Sequence, residues 1–252
     1  MTDLQIPSDL LRRLREAHHL VAFTGAGISA ESGIPTFRGA RTGLWARYDP
    51  QELASPAALK RHPALVWQWY AWRRERVRRA APNPAHFALA ALEKLAPQFS
   101  LITQNVDGLH QRAGSQKVIE LHGNILRTVC AAHRHPVYQW TPPPEGEAPR
   151  CPVCGSVLRP DVVFFGEPLP PQALRTATAV AREADFMLVV GTAGVVYPAA
   201  ALPEIAKAHG ACVVEINPQP TLLSSLADVA LRLPAGEALP ALLAAAWPQR
   251  LP

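Results

Sequence analysis

Nowhere in the chain do eighteen apolar residues follow one another, and the amino-terminal stretch carries Asp3 and Asp9 without an apolar core. Neither a membrane-spanning helix nor a secretory signal is therefore expected; the protein reads as soluble and cytoplasmic, with no membrane partner. Cysteine is scarce, four in 252 residues, which excludes a disulfide-stapled scaffold. The pair Cys151-Pro-Val-Cys154 suits a metal site in a reducing compartment instead. Acidic residues are in deficit, 20 Asp and Glu against 25 Lys and Arg, giving a formal charge of +5. Much of the excess lies between Arg73 and Arg79 with no stacking motif beside it, so nucleic acid is not an expected partner. Internal repeats and long low-complexity runs are missing too. Proline is abundant, 26 residues, about twice the usual share, and is expected to stiffen loops.

The chain is organised around Thr24 to Arg38, which follows the short apolar run Leu20 to Phe23, a buried strand by length and lack of charge. Gly25 and Gly27 allow a tight turn and a close backbone approach to a ligand, such as a diphosphate held on exposed N–H groups. The third glycine, Gly33, comes later than a dinucleotide fingerprint requires, so the spacing alone is a weak signal. Ser29, Pro35, Phe37 and Arg38 add a hydroxyl, a helix stop, an aromatic face and a fixed cation, the composition of a mobile lid over a phosphate-bearing cofactor.

Around this stretch the pattern predicts a helix over 8–18 capped by Ser8, a helix at about 84–96, a strand from Phe99 to Thr103, another from Asp185 to Gly191, a helix over 198–209 and a strand from Ala211 to Asn217. Strands separated by crossover helices imply an α/β fold with a parallel, doubly wound, Rossmann-like sheet. The expected organisation is a single catalytic domain: a discontinuous core over 1–38, 84–127 and 159–252, a helical insert over 39–83, and a small Cys- and His-rich module over 128–158. Gln104, Asn105 and Asp107 stand at the carboxyl end of the second strand, where open α/β sheets place ligands. His122 follows an apolar run and precedes Gly123, so it can be held rigidly with one face toward a ligand.

Taken together, Gly-Ala-Gly-Ile-Ser at 25–29, Gly-Ile-Pro-Thr-Phe-Arg at 33–38, Gln-Asn-Val-Asp-Gly-Leu-His at 104–110, Leu-His-Gly at 121–123, Pro-Asp-Val-Val-Phe-Phe-Gly-Glu at 160–167 and Gly191-Thr192 resemble the sirtuins, NAD-dependent protein-lysine deacylases. The resemblance spans about Leu20 to Pro240 in the family's order. It implies that Gly25, Ala26, Gly27, Ser29, Phe37 and Arg38 line the NAD pocket, with Gln104, Asn105 and Asp107 around the nicotinamide and its ribose. His122 would be the general base, supported in catalysis by Asn105 and Asp107. Gly191, Thr192 and Ala193 would meet phosphate or ribose, Asn217 the adenosine ribose and Ala235 the adenine. Serine is usual in the family where Ala193 stands, so one hydroxyl contact is lost. The products would be nicotinamide and O-acyl-ADP-ribose. Val163, Phe164, Gly166 and Glu167 would receive the substrate peptide, an acylated lysine in a protein, by β-pairing.

The same resemblance implies zinc. Sirtuins commonly carry two Cys-x-x-Cys pairs, and here the first reads Cys130-Ala-Ala-His133. The expected ligands are Cys130, His133, Cys151 and Cys154, with His135 as the fallback. For the acyl group, Tyr70 and Arg73 are three apart and share a helix face, and with the small Ala54 they resemble the class III sirtuins that accept succinyl and malonyl groups, acetyl also being accepted. The alternatives are an ADP-ribosyltransferase using the same NAD cleavage and a non-catalytic NAD-sensing module. The oligomeric expectation is a monomer.

Overall fold

The computed structural model describes residues 6–36 and 50–249. Strand β1, His19–Thr24, is buried along its whole length and forms the middle of a six-stranded sheet. Its parallel neighbours are β2, Gln98–Thr103, on one side and β6, Phe186–Val190, on the other. β3, Val118–Glu120, extends the sheet beyond β2, while β7, Cys212–Ile216, and β8, Val229–Leu231, extend it beyond β6. The order β3-β2-β1-β6-β7-β8 grows one way from β1 and then the other. A crevice therefore opens beyond the carboxyl ends of β1 and β6, where successive crossovers leave in opposite directions.

Alternation along β1 builds two cores. Leu20 and Ala22 face α1, Ser8–Glu16, α5, Pro84–Leu95, and α9, Ala235–Ala246; Val21 and Phe23 face α7, Pro171–Glu183, and α8, Leu202–Ala208. The four expected strands are present, as are the helices near 8–18 and 84–96. The helix expected over 198–209 is a short 3₁₀ turn, Ala199–Ala201, leading into α8. Ser8 does not cap α1: Pro7 holds the cap position with extended ψ, no side-chain cap bond forms, and Ser8 is already helical. The prolines do more than stiffen loops. One stands in the first two positions of α7, α8, α5, α3 (Pro56–Arg61) and α4 (Pro63–Arg79), where the missing N–H would have no intrahelical partner anyway.

A smaller lobe combines α2, Pro50–Leu53, α3 and α4 with the antiparallel pair β4, Gly123–Cys130, and β5, Leu158–Val162. Leu53, Leu59, Val66, Tyr70, Ile125, Val162 and Phe164 share one core. The β4–β5 ladder pairs Gly123 with Val162 and Cys130 with Leu158, so it crosses the limits of 128 and 158 read for the metal module. Arg74 fastens α4 to β4: its guanidinium donates to Ile125 O at 2.6 Å, Arg127 O at 2.8 Å and Thr128 Oγ1 at 3.0 Å. Burial draws this cation down to about 10. Among the described residues no helix is long and apolar enough to cross a membrane.

Candidate functional site

The stretch read as a lid is a 3₁₀ helix over Ala26–Ser32 that begins directly from the end of β1. It packs on the turn after β6. A Cβ on Gly27 would lie 2.7 Å from Gly191 Cα, and one on Gly191, whose φ is 60°, would lie 2.4 Å from Ile28 N. Gly27 N donates to Gly191 O at 2.8 Å. The two turns can meet only as bare backbone, and they form the floor of the crevice. Phe37 and Arg38 lie outside the described residues.

The polar groups beyond β2 are tied to this floor. Gln104 Nε2 donates to Thr192 Oγ1 at 2.9 Å, and Asn217 Nδ2, after β7, donates to Thr192 O at 3.1 Å. Asn105 Nδ2 donates to Gly25 O at 3.1 Å and Ser29 Oγ at 3.2 Å; the Ser29 hydroxyl in turn donates a hydrogen bond to Asp107 Oδ2 at 2.8 Å. Burial pushes the Asp107 carboxyl up, while the Leu109 amide and the Ser29 hydroxyl oppose it. Ala193 is partly exposed at the turn after β6, and Ala235 is buried at the start of α9. The next residue, Gly236, gives its amide to Glu31 Oε2 at 2.8 Å. His122 is half-buried, with Nδ1 2.8 Å from Gln104 O. A ring nitrogen facing a carbonyl must carry the proton, so the lone pair resides on Nε2.

Behind these residues stand two histidines to which sequence reasoning gave no role. His86, on α5, accepts from Asn83 N with Nδ1 at 3.2 Å, so its Nε2–H faces Ser29 Oγ at 3.4 Å. His110, on α6 (Leu109–Arg112), has Nε2 3.0 Å from Thr24 Oγ1, which itself donates to Thr103 Oγ1 at 2.8 Å. Their ring centroids are 4.9 Å apart. Burial draws His86 down to about 4 and His110 to about 3, so both are neutral props for the polar floor.

The metal module keeps three of its four expected ligands. The sulfurs of Cys130, Cys151 and Cys154 lie within 4.8 Å of one another. His133 does not join them. Its backbone N–H, with that of Ala132, bonds the Cys130 sulfur, and its exposed ring stacks on His135 at 6.3 Å. His135 has Nε2 3.3 Å from Cys151 Sγ, because Arg134 takes a left-handed φ of 60° and turns the chain back. Three thiols and an imidazole fit a tetrahedral zinc site; His135 is the imidazole nearest to one of the sulfurs, that of Cys151, but stands outside the group of three that all lie within 4.8 Å of one another.

The residues read from the sequence as an acyl pocket come together. Ala54 and Tyr70 are buried in the small-lobe core, at 3% and 2% exposure. The half-buried Arg73 lays its guanidinium 4.8 Å from the Trp69 ring centre and 5.3 Å from that of Tyr70, and bonds the Tyr70 hydroxyl. Burial pushes the phenol up to about 12, so it stays a neutral donor. Asp107 is near enough for its charge to act on Arg73. Within the expected peptide segment, four amides are already engaged: Val163 N to His122 O, Phe164 N to Glu167 Oε2, Phe165 N to Ala54 O and Glu167 N to Phe164 O. Glu167 itself is paired with Arg159 at 2.6 Å, and Gly166, with φ of 86°, forms the turn.

A family model described as "Sir2 family" matches residues 25–198. The "NAD-dependent protein deacylase 2" of Pyrobaculum aerophilum is 56% identical over 230 residues, covering 91% of this chain and 92% of its own. Among solved structures, a Sir2 homologue mutant in complex with ADP ribose superposes with a TM-score of 0.92 at 48% identity, covering 98% of this chain and all of its own. A Sir2 structure with p53 peptide and NAD+ gives 0.82 at 35% identity, covering 94% and 96%.

Proposed function

The chain belongs to the Sir2 family, and from that membership we propose that it removes acyl groups from protein lysine side chains at the expense of NAD, with succinyl and malonyl groups preferred and acetyl also accepted. When bound, NAD would supply a ribose carbon that exchanges nicotinamide for the acyl oxygen; attack of a neighbouring ribose hydroxyl on the acyl carbon and uptake of one water would then break the acyl–lysine C–N bond, so the products would be the free lysine amine, nicotinamide and O-acyl-ADP-ribose. The glycine floor of Gly25, Gly27 and Gly191 suits close approach of a diphosphate to main chain. Ala26, Ser29, Thr192, Ala193, Asn217 and Ala235 surround it, and Gln104, Asn105 and Asp107 form the polar wall. His122 would take a ribose hydroxyl proton on Nε2; burial draws its imidazole down, which keeps it unprotonated and ready as a base at neutral pH. The carbonyls of Val163 and its neighbours, more than their engaged amides, would meet the peptide main chain. None of the four cysteines is in a disulfide, which suits a reducing, cytoplasmic setting.

One observation carries the acyl preference: a guanidinium bonded to a buried phenol hydroxyl, in a lobe whose core also holds the short side chain of Ala54. An acyl carboxylate entering such a pocket loses hydration, and a fixed cation with a hydroxyl donor offsets that loss. Charge-assisted contacts are worth roughly 1.5 to 3 kcal/mol, so Arg73→Met should lower succinyl kcat/KM by about tenfold to a hundredfold, Tyr70→Phe by less, and acetyl turnover should survive both. Equal loss with acetyl and succinyl peptides would show that Arg73 is only a packing residue and would overturn the preference.

A further inference from the structure

The Tyr70–Arg73 receptor rests on a second cation that no reading of the sequence singled out. Arg159, on β5, is 3% exposed. Its Nη1 donates to Glu167 Oε1 at 2.6 Å, and its Nη2 donates to Glu167 Oε2 and to Val162 O, both at 2.8 Å. This two-pronged grip holds the guanidinium 3.7 Å from the centre of the Phe164 ring. Phe164 in turn stacks on Tyr70, with centroids 5.6 Å apart and planes 19° from parallel. Arg73 covers the Tyr70 ring at 5.3 Å. Four side chains thus form one pile, Arg159, Phe164, Tyr70 and Arg73, with a cation over each of the two rings. The lower cation is clamped by a carboxylate; the upper one stands at the acyl pocket.

Two consequences follow from the chemistry of the pile. Glu167 Oε2 also accepts the Phe164 amide at 2.8 Å, so the clamp fixes the ring through its backbone as well as its face. Lysine could keep the charge at 159 but could neither grip both carboxylate oxygens nor lie flat on a ring. The field of Arg159 also reaches the Tyr70 hydroxyl and favours loss of its proton, which sharpens that hydroxyl as a donor toward a carboxylate.

We propose that Arg159 is a positioning residue for acyl selectivity: clamped by Glu167, it sets the Phe164–Tyr70 stack on which Arg73 stands, and so acts on carboxylate-bearing acyl groups through Arg73. The inference rests on the acyl-pocket reading above. Its test compares acetyl and succinyl peptides with the full chain, NAD present, in Arg159→Lys, Arg159→Gln, Arg73→Met and the Arg159→Lys/Arg73→Met double variant, each checked for its melting temperature. The expected result is a rise of about fivefold or more in succinyl KM for Arg159→Lys, with kcat and the acetyl parameters within about twofold. In the Arg73→Met background the same change should no longer alter the succinyl-to-acetyl ratio, because its route is already cut. Arg159→Gln, which retains amide donors toward Val162 and Glu167, reads the same quantity should the lysine variant melt below the assay temperature. An unchanged ratio in the Arg159 variants while Arg73→Met alters it would overturn the positioning role alone. An unchanged ratio in Arg73→Met would overturn both readings. Equal loss on the two peptides, or a full Arg159 effect persisting without Arg73, would reduce Arg159 to a structural ion pair.

Discussion

The Nδ1 of His122 lies 2.8 Å from the main-chain carbonyl oxygen of Gln104, so the tautomer of the proposed base is set by backbone that no side-chain substitution at 104 removes. Because burial lowers the imidazole pKa, the base is still unprotonated at its ordinary pKa of about 6.5. Activity should therefore hold below that pH and fall only as pH drops through the lowered value. His122→Ala should cost about a hundredfold or more in turnover while leaving the NAD dissociation constant within about threefold. Pre-steady-state and binding measurements on this variant check both halves. Near-normal turnover would exclude His122 as the base.

The metal prediction separates two histidines two residues apart. The purified protein should hold one zinc per chain. His135→Ala should lower both metal content and melting temperature, whereas His133→Ala should change neither appreciably, since His133 contributes its amide to Cys130 rather than its ring. Metal analysis of the two variants decides it; loss of zinc in His133→Ala alone would restore the ligand set read from spacing.

What the sequence disclosed follows the range of the interactions involved. β1, β2, β6 and β7 were legible because each is a short apolar run between helical stretches. α7 escaped notice because its Ala- and Thr-rich sequence buries only Ala177 and Ala181, too little bulk to show a period. α9 carries Pro240 inside it, and a proline within an apolar run masks a helical pattern. The motif residues at the crevice were legible from family resemblance, since they sit at strand ends where the fold leaves little freedom. His86 and His110 were not, because their partnership depends on α5 and α6 meeting behind the sheet. His135 was displaced by His133 because the left-handed turn at Arg134 has no signature in spacing. Arg159 was hidden for a related reason: its partners Val162, Phe164 and Glu167 are gathered by the turn after β5, and nothing in Leu-Arg-Pro announces a buried cation.

His86 and His110 make a prediction about acid. Unfolded, each would titrate near 6.5; folded, they are drawn down to about 4 and about 3. The unfolded chain therefore binds more protons at mildly acid pH. Stability is full above about pH 6.5 and declines as pH falls toward the folded values, on the order of 3 kcal/mol per histidine by about pH 4. His110→Gln, which cannot titrate, should show a shallower fall in melting temperature between pH 7 and pH 4 than the wild type. A fall of equal steepness would mean that the pair is not buried neutral.

The glycines yield the sharpest contrast, because two of them share a left-handed backbone and differ only in what surrounds them. Gly33 has φ of 77° and nothing within 4 Å of a built Cβ, while Gly191 has φ of 60° and meets Ile28 N at 2.4 Å and Gly27 C at 2.6 Å. Alanine at 33 incurs only left-handed strain, about 1 kcal/mol. At 191 the same strain is joined by a clash with main chain, which cannot swing aside as a side-chain tip can, so either the 3₁₀ helix is pushed off the turn after β6 or the protein fails to fold. Gly191→Ala should thus lose NAD binding by at least about tenfold, or lose several degrees of melting temperature, while Gly33→Ala loses a few degrees and keeps the binding. Isothermal titration with NAD and thermal melts on the two variants make the comparison. Equal behaviour would show that backbone contact between the two turns is not what shapes the crevice floor.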